Sequence, residues 1–166
     1  MLIEDKSGRL ESLRKSIVEK QRVSSREDLS PGDIVYQCLD RKDGLVLKDS
    51  YTTRNKYFVV VGKNSKGDAV GICLVNSNLE FFGNSERKRY QYILKKDDYP
   101  QVLDRDSRID CSTLFTMSLK KAVAVKGQKV GSIKADDWNH IISLVAECEF
   151  INMHDKKVYR IVPLEK

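Results

Sequence analysis

The run Tyr51-Thr52-Thr53-Arg54-Asn55-Lys56-Tyr57-Phe58-Val59-Val60-Val61-Gly62, the polar stretch Lys63-Asn64-Ser65-Lys66-Gly67-Asp68, and the run Ala69-Val70-Gly71-Ile72-Cys73-Leu74-Val75-Asn76-Ser77 decide the fold of this chain. Tyr57 to Val61 is continuously apolar and rich in β-branched residues, the pattern of a strand buried on both faces. Asn64, Ser65, Gly67 and Asp68 supply or tolerate turn conformations. Ala69 to Val75 is apolar again. The stretch predicts a hairpin at the centre of a small β core. Its flanks carry polar residues suited to chemistry: Arg54 and Lys56 enter the first strand, and Asn76 and Ser77 leave the second.

Working outward, 166 residues suit one domain with a short appendage. We divide the chain into residues 1–29, an N-terminal amphipathic helix and linker, and residues 30–166, a barrel domain. The 40% apolar content supports a real core, and a net charge of +6 favours polyanionic partners. The positive surplus sits in Arg87-Lys88-Arg89, Lys95-Lys96 and the lysines from Lys120 to Lys134. Cys38, Cys73, Cys111 and Cys148 are far apart, no CxxC occurs, and only His140 and His154 could join them. That disfavours a zinc site and suits reduced, mostly buried thiols. With no apolar leader and no run of membrane-spanning length, the expectation is a cytoplasmic protein that needs no metal or other cofactor.

Toward the N-terminus, Ile3, Leu10, Leu13 and Ile17 form one helical stripe. Such a helix either docks on the domain or serves a partner. Pro31-Gly32-Asp33 turns into a first strand at Ile34-Val35-Tyr36. Arg41 to Ser50 is a polar loop with room for a short Leu45–Leu47 strand. Beyond the hairpin, Asn78 to Lys88 reads as a loop with exposed Phe81 and Phe82. Tyr90 to Leu94 reads as a strand, Arg108 to Met117 as another, and Val158 to Val162 as a last one. From Ala135, the spacing of Trp138, Ile141, Ile142 and Val145 predicts a helix, with Asp136 and Asp137 at its positive end. The sum is a mainly β chain: a small, SH3-like antiparallel barrel with a C-terminal helix and an extra N-terminal helix.

The series Pro31-Gly32-Asp33-Ile34-Val35-Tyr36, the basic residue opening a Val-rich strand, the strand ending in Asn76-Ser77, then Ile109-Asp110-Cys111-Ser112 and Val130-Gly131-Ser132-Ile133 before a helix resembles the PemK/MazF toxin family over about residues 30–147. The resemblance implies an SH3-like barrel, usually a homodimer, that cuts single-stranded RNA without a metal. In that chemistry the 2′-hydroxyl attacks the adjacent phosphate, leaving a cyclic phosphate and a 5′-hydroxyl. It also implies an acidic antitoxin protein that folds into the RNA groove.

Carried over residue by residue, the family's catalytic Arg falls on Lys56, with Arg54 two residues earlier. Its Thr falls on Ser77. A third polar position falls on Ser112, with Asp110 two residues before it. Lys keeps the cation but not the bidentate fork of Arg, and its pKa is more readily lowered by burial. Arg54 shares a strand face with Lys56 and could supply the fork. On this reading Arg54 and Lys56 stabilise the pentavalent phosphate, Ser77 orients it, and Asp110 or Ser112 positions the 2′-hydroxyl. Asn76, Arg87, Lys88 and Arg89 would bind the RNA backbone, with Phe81, Phe82 or Tyr90 stacking on bases.

Plainer readings stand beside these. Arg54, Lys56 and Arg87 to Arg89 also fit solvated loop charges, Asn76 and Ser77 a strand end, and Asp110 a turn cap or a partner for Arg108. His140 fits packing beside the helix, and His154 has no assigned role. The same barrel also serves as a non-catalytic module that binds RNA or poisons a protein such as a topoisomerase. A cationic cleft at Lys56 and Ser77 favours RNA, and an apolar surface on the C-terminal helix favours a protein target.

Overall fold

The computed structural model describes residues 10–16, 29–43, 45, 47, 51–123 and 128–161. Residues 10–16 are helical (α1), with Leu10 and Leu13 more than half exposed. The stripe's other members, Ile3 and Ile17, lie outside the described residues, as does most of the Arg41–Ser50 loop's tail and the Val162 end of the expected last strand.

Seven strands follow: β1 (Asp33–Asp40), β2 (Thr53–Lys63), β3 (Ala69–Asn76), β4 (Gln91–Leu94), β5 (Ser107–Asp110), β6 (Phe115–Ser118) and β7 (Gln128–Ser132). The helices α2 (Leu119–Ala122), α3 (Ala135–Glu147) and α4 (Met153–Val158) follow among the described residues. The sheet order is β4-β5-β3-β2-β1-β7, every pair antiparallel, and β6 pairs with the first half of β3. The protein is mainly β, a curled antiparallel half-barrel with helices added.

Two register shifts, at Ile34/Val35 and Val60/Gly62, mark where the strands bend. At the second, α4 presses on the sheet. A Cβ on Gly62 would overlap the Tyr159 carbonyl and lie 2.6 Å from the Tyr159 Cβ, so only glycine lets the two backbones approach. At the other end, Ser30-Pro31-Gly32-Asp33 forms a tight turn. Asp33 N donates to Ser30 O at 3.0 Å, and Gly32 takes φ +96°, the type II position that glycine fills without strain. Trp138 of α3 lies 3.7 Å from where a Gly32 Cβ would stand, so this turn also seats the helix.

The hairpin strands are buried on both faces, as their unbroken apolar runs predict. Val59, Val61, Cys73 and Val75 point into a core shared with α3, α4 and the Tyr99–Leu103 loop. Phe58, Val60, Val70, Ile72 and Leu74 point into a second cluster with Val35, Leu39, Met117 and Ala122. Full burial of a side chain such as Phe58 is worth roughly 1.5–3 kcal/mol. The first and last strands are fastened late in the sequence: Asp33 pairs with Ser132, accepts its hydroxyl at 3.1 Å, and forms an ion pair with Lys129 at 3.0 Å.

Two strand expectations are corrected. Arg108 to Met117 is not one strand: the chain turns at Cys111–Ser112, because the Asp110 carboxylate accepts the Ser112 N–H at 3.0 Å and the Ser112 hydroxyl at 2.5 Å. The segment leading to Val158 is a helix rather than a strand start. Asn152 caps it by accepting Asp155 N–H at 2.8 Å. The expected helix from Ala135 is α3. Cys73, Cys111 and Cys148 are buried, Cys38 is half-buried, and all four are free thiols.

Candidate functional site

The site lies where β2 begins, β3 ends and β5 begins. Strand alternation sets which side chains meet there. Tyr57 pairs with Val75 and Asn76 with Arg108, so the next residues along carry Lys56, Asn76 and Arg108 in one row across three strands. Gln37 extends the row on β1, opposite Lys56. Arg54 follows Lys56 on the same face, at the exposed start of β2. This face is the apolar wall of Phe58, Val60 and Leu74 further in. At its end it turns cationic.

Lys56 is half-buried. Its ammonium donates to Asn76 Oδ1 at 2.6 Å and to the Val75 carbonyl at 3.5 Å. Burial first, then repulsion from Arg54 and Arg108, lowers its pKa from 10.5 to about 8. Arg108 is fixed more tightly. Its Nε donates to the Asn78 carbonyl at 3.1 Å, another nitrogen donates to Gln91 Oε1, and Phe81 packs over it at 5.2 Å. Burial shifts the Arg108 guanidinium downward while Asp110 opposes the shift, and a guanidinium keeps its charge under such conditions. Among the described residues, Arg54, Lys56 and Arg108 form no ion pair with a carboxylate. Three cations thus converge without an ion pair among the described residues, with the Asp110 carboxylate acting on Arg108 from a distance.

Beside them opens a cleft of about 310 Å³. Arg54 to Tyr57 line it, with Tyr36, Val75, Ser77 and Ser107 on the sheet side and Leu103, Asp104 and Arg105 on the loop side. Tyr36 and Tyr57 are cross-strand partners with ring centroids 4.7 Å apart. The Tyr57 phenol is pushed above its ordinary pKa by burial, then by the Asp104 carboxylate and Tyr36. The cleft joins an aromatic floor to hydrogen-bonding walls, with positive charge at its rim.

The residues singled out in the sequence divide between two places. Arg54, Lys56 and Ser77 line the cleft, and Asn76 holds the Lys56 ammonium. Asp110 and Ser112 lie outside its lining, in a network around Gln91, whose Nε2 donates to Asp110 Oδ1 at 2.8 Å and to the Arg87 carbonyl at 3.2 Å. Arg87 donates to the Ser112 carbonyl and the Thr113 hydroxyl and stacks over Phe150 at 4.4 Å. Arg89 bonds Tyr90 and Glu149. Of that basic triplet, Lys88 is exposed and its side chain takes part in no ion pair or hydrogen bond among the described residues. Phe82 is 80% exposed, whereas Phe81 is tied to Arg108. His140 is exposed, donates its Nδ1–H to the Asp136 carbonyl at 2.8 Å and stacks on Tyr92.

Sequence reasoning missed Arg108, Tyr36, Asp104 and Arg105. Arg108 reaches Lys56 only through the β3–β5 register, which no local pattern announces. Tyr36 and Tyr57 did carry a signal, as aromatics at facing positions of adjacent strands. Among the described residues no group of three or more His, Cys, Asp and Glu side chains is arranged to hold a metal ion, and no helix is long and apolar enough to cross a membrane. No protein-family model matches the chain, and no curated protein matches it as a relative.

Proposed function

We propose that the protein is a metal-independent endoribonuclease of the PemK/MazF kind, acting on single-stranded RNA at the cleft beside Lys56. The observation that carries this reading is that Arg54 and Lys56 line an open cleft and act together with the nearby Arg108, none of the three in an ion pair among the described residues. Clustered cations outside ion pairs favour a phosphodiester, and favour it more as charge builds on the pentavalent phosphate. The 2′-hydroxyl oxygen attacks phosphorus and the bond to the 5′ oxygen breaks. Lys56, with its pKa near 8, gives its proton to the departing 5′ oxygen, while the 2′-hydroxyl proton passes to water. Arg54 holds the phosphoryl oxygens by charge, and the buried Arg108 adds its field from behind. The products are a 2′,3′-cyclic phosphate and a 5′-hydroxyl. A basic groove of this kind suits an acidic protein inhibitor as a partner.

The test is incubation of the purified protein with a long single-stranded RNA in EDTA, beside Lys56→Ala and Arg54→Ala variants. Discrete cleavage that survives EDTA and is lost in both variants is the expected result. Full cleavage in the Arg54→Ala/Lys56→Ala double variant overturns the site. A second reading, RNA binding without cleavage, is favoured by one observation: Ser77, Asp110 and Ser112 make no hydrogen bond to Lys56. Salt-sensitive binding with intact RNA would select it.

A further inference from the structure

We propose that the Tyr36–Tyr57 cleft is a nucleobase pocket that selects guanine, so that the RNA is cut beside a guanosine. The inference rests on the reading of the adjacent cations as a phosphate site. A cleft of about 310 Å³ lies at the small end of ligand sites, roughly 300–1,000 Å³, and suits one base rather than a stack. Tyr36 and Tyr57 offer the platform: both are half-buried, their rings meet at a 44° tilt, and both residues line the cleft. Stacking of a base on such a ring contributes about 1–3 kcal/mol whatever the base.

Selection comes from the wall. Asp104 is exposed, makes no ion pair among the described residues and stands close enough to raise the Tyr57 pKa. A carboxylate accepts through two oxygens side by side. Guanine presents two adjacent donors, N1–H and the N2 amino group, on the edge that an unpaired base exposes. Adenine, cytosine and uracil each present one donor beside an acceptor, which a carboxylate repels. Arg105, next along the same wall, offers a planar fork to the guanine acceptors O6 and N7. The base would sit on the Tyr36 side of the sheet end while its phosphate meets Arg54 and Lys56 at the rim.

The experiment is titration of the protein with guanosine, adenosine, cytidine and uridine 5′-monophosphates by calorimetry. These ligands hold no phosphodiester to cut, so base selection is measured apart from cleavage. The expected result is GMP binding at least tenfold tighter than the other three. Asp104→Asn should reduce the preference below threefold with an unchanged melting temperature, since Asp104 is a surface residue. Lys56→Ala should weaken all four ligands together. Equal binding of the four, no binding of any, or a guanine preference that survives Asp104→Asn overturns the pocket. Guanine preference without RNA cleavage would uphold the pocket and overturn the ribonuclease reading. Cleavage with no preferred neighbouring base would do the reverse.

Discussion

Lys56 and Asn76 bind one another across the β2–β3 pair, ammonium to amide oxygen at 2.6 Å. The amide fixes where the ammonium points without neutralising it. A carboxylate at position 76 would have formed an ion pair and raised the lysine pKa. Asn76 instead leaves Lys56 under the influence of burial, Arg54 and Arg108, and all three lower it to about 8.

The first prediction concerns pH. Lys56 must carry its proton to act as acid and as phosphate ligand, so kcat/KM for RNA cleavage should be level up to about pH 7. Above about pH 8, where the free protein loses that proton, it should fall about tenfold per pH unit. Lys56→Ala should lose roughly 100-fold or more below about pH 7, within the usual range for removing an acid group, and the gap to wild type should narrow above about pH 8. Lys56→Arg should keep phosphate binding but flatten the decline, because arginine stays charged. A decline unchanged in Lys56→Arg would assign it to another group.

The same shift makes a stability prediction of opposite sign. The folded pKa of Lys56, about 8, lies below its ordinary 10.5. Between those values the unfolded chain holds a proton that the folded one has lost, so the lysine's contribution becomes less unfavourable as pH rises through that window. Below about pH 8 the burial penalty is present in full. Lys56→Met should therefore raise stability at pH 7 by about 1 kcal/mol after allowance for solvent screening, a Tm gain of roughly 2–4 °C. The gain over wild type should vanish toward pH 10.5, which thermal melts at several pH values would reveal.

Asp110 and Ser112 should respond differently from Lys56. The Asp110 carboxylate takes three hydrogen bonds on one oxygen, from Gln91, Ser112 N and the Ser112 hydroxyl. Asp110→Ala leaves those donors half-buried and unpaired, at about 1–3 kcal/mol, so urea midpoints should fall. Any loss of cleavage should be small, transmitted through Gln91 to Arg108. If Asp110→Ala abolishes cleavage at unchanged stability, Asp110 belongs in the reacting group.

Gly62→Ala tests the packing of α4. The added methyl would meet Tyr159 backbone and side chain at once, and neither can retreat without lifting the helix off the bulge. A loss of about 3 kcal/mol, at the upper end for overpacking, should lower the Tm by roughly 6–12 °C. Gly67→Ala, in an open turn with φ +72°, should be milder, because only backbone strain and no clash is added.

What the sequence made legible were features with local causes. Phe58 to Val61 is a doubly buried strand because its apolar run is unbroken, and Ala135–Glu147 is a helix because Trp138, Ile141, Ile142 and Val145 repeat at its period. Pro31-Gly32 announced its turn. The turn after Asp110 was hidden inside an apolar run because the carboxylate that makes it bonds two residues ahead. Helix α4 did leave a mark, Asn152 three residues before Asp155, but Val158 to Val162 looked strand-like alone. Arg54 and Lys56 were legible from their spacing. Arg108 was not, since its place beside Lys56 is made by the register of β3 with β5, which sets Asn76 opposite Arg108.

The pairing of β1 with β7 has a consequence for synthesis. β1 is complete by Asp40, yet the strand that covers its outer edge ends at Ser132. A nascent chain emerging from the ribosome can close the β2–β3 hairpin at once, through contacts near in sequence. It must then carry a bare strand edge along Ile34, Val35 and Tyr36 while some ninety further residues are made. Such an edge is a template for other chains. The growing polypeptide is therefore most prone to self-association in that interval, and slowing translation before β7 should raise the aggregated fraction more than slowing it afterwards.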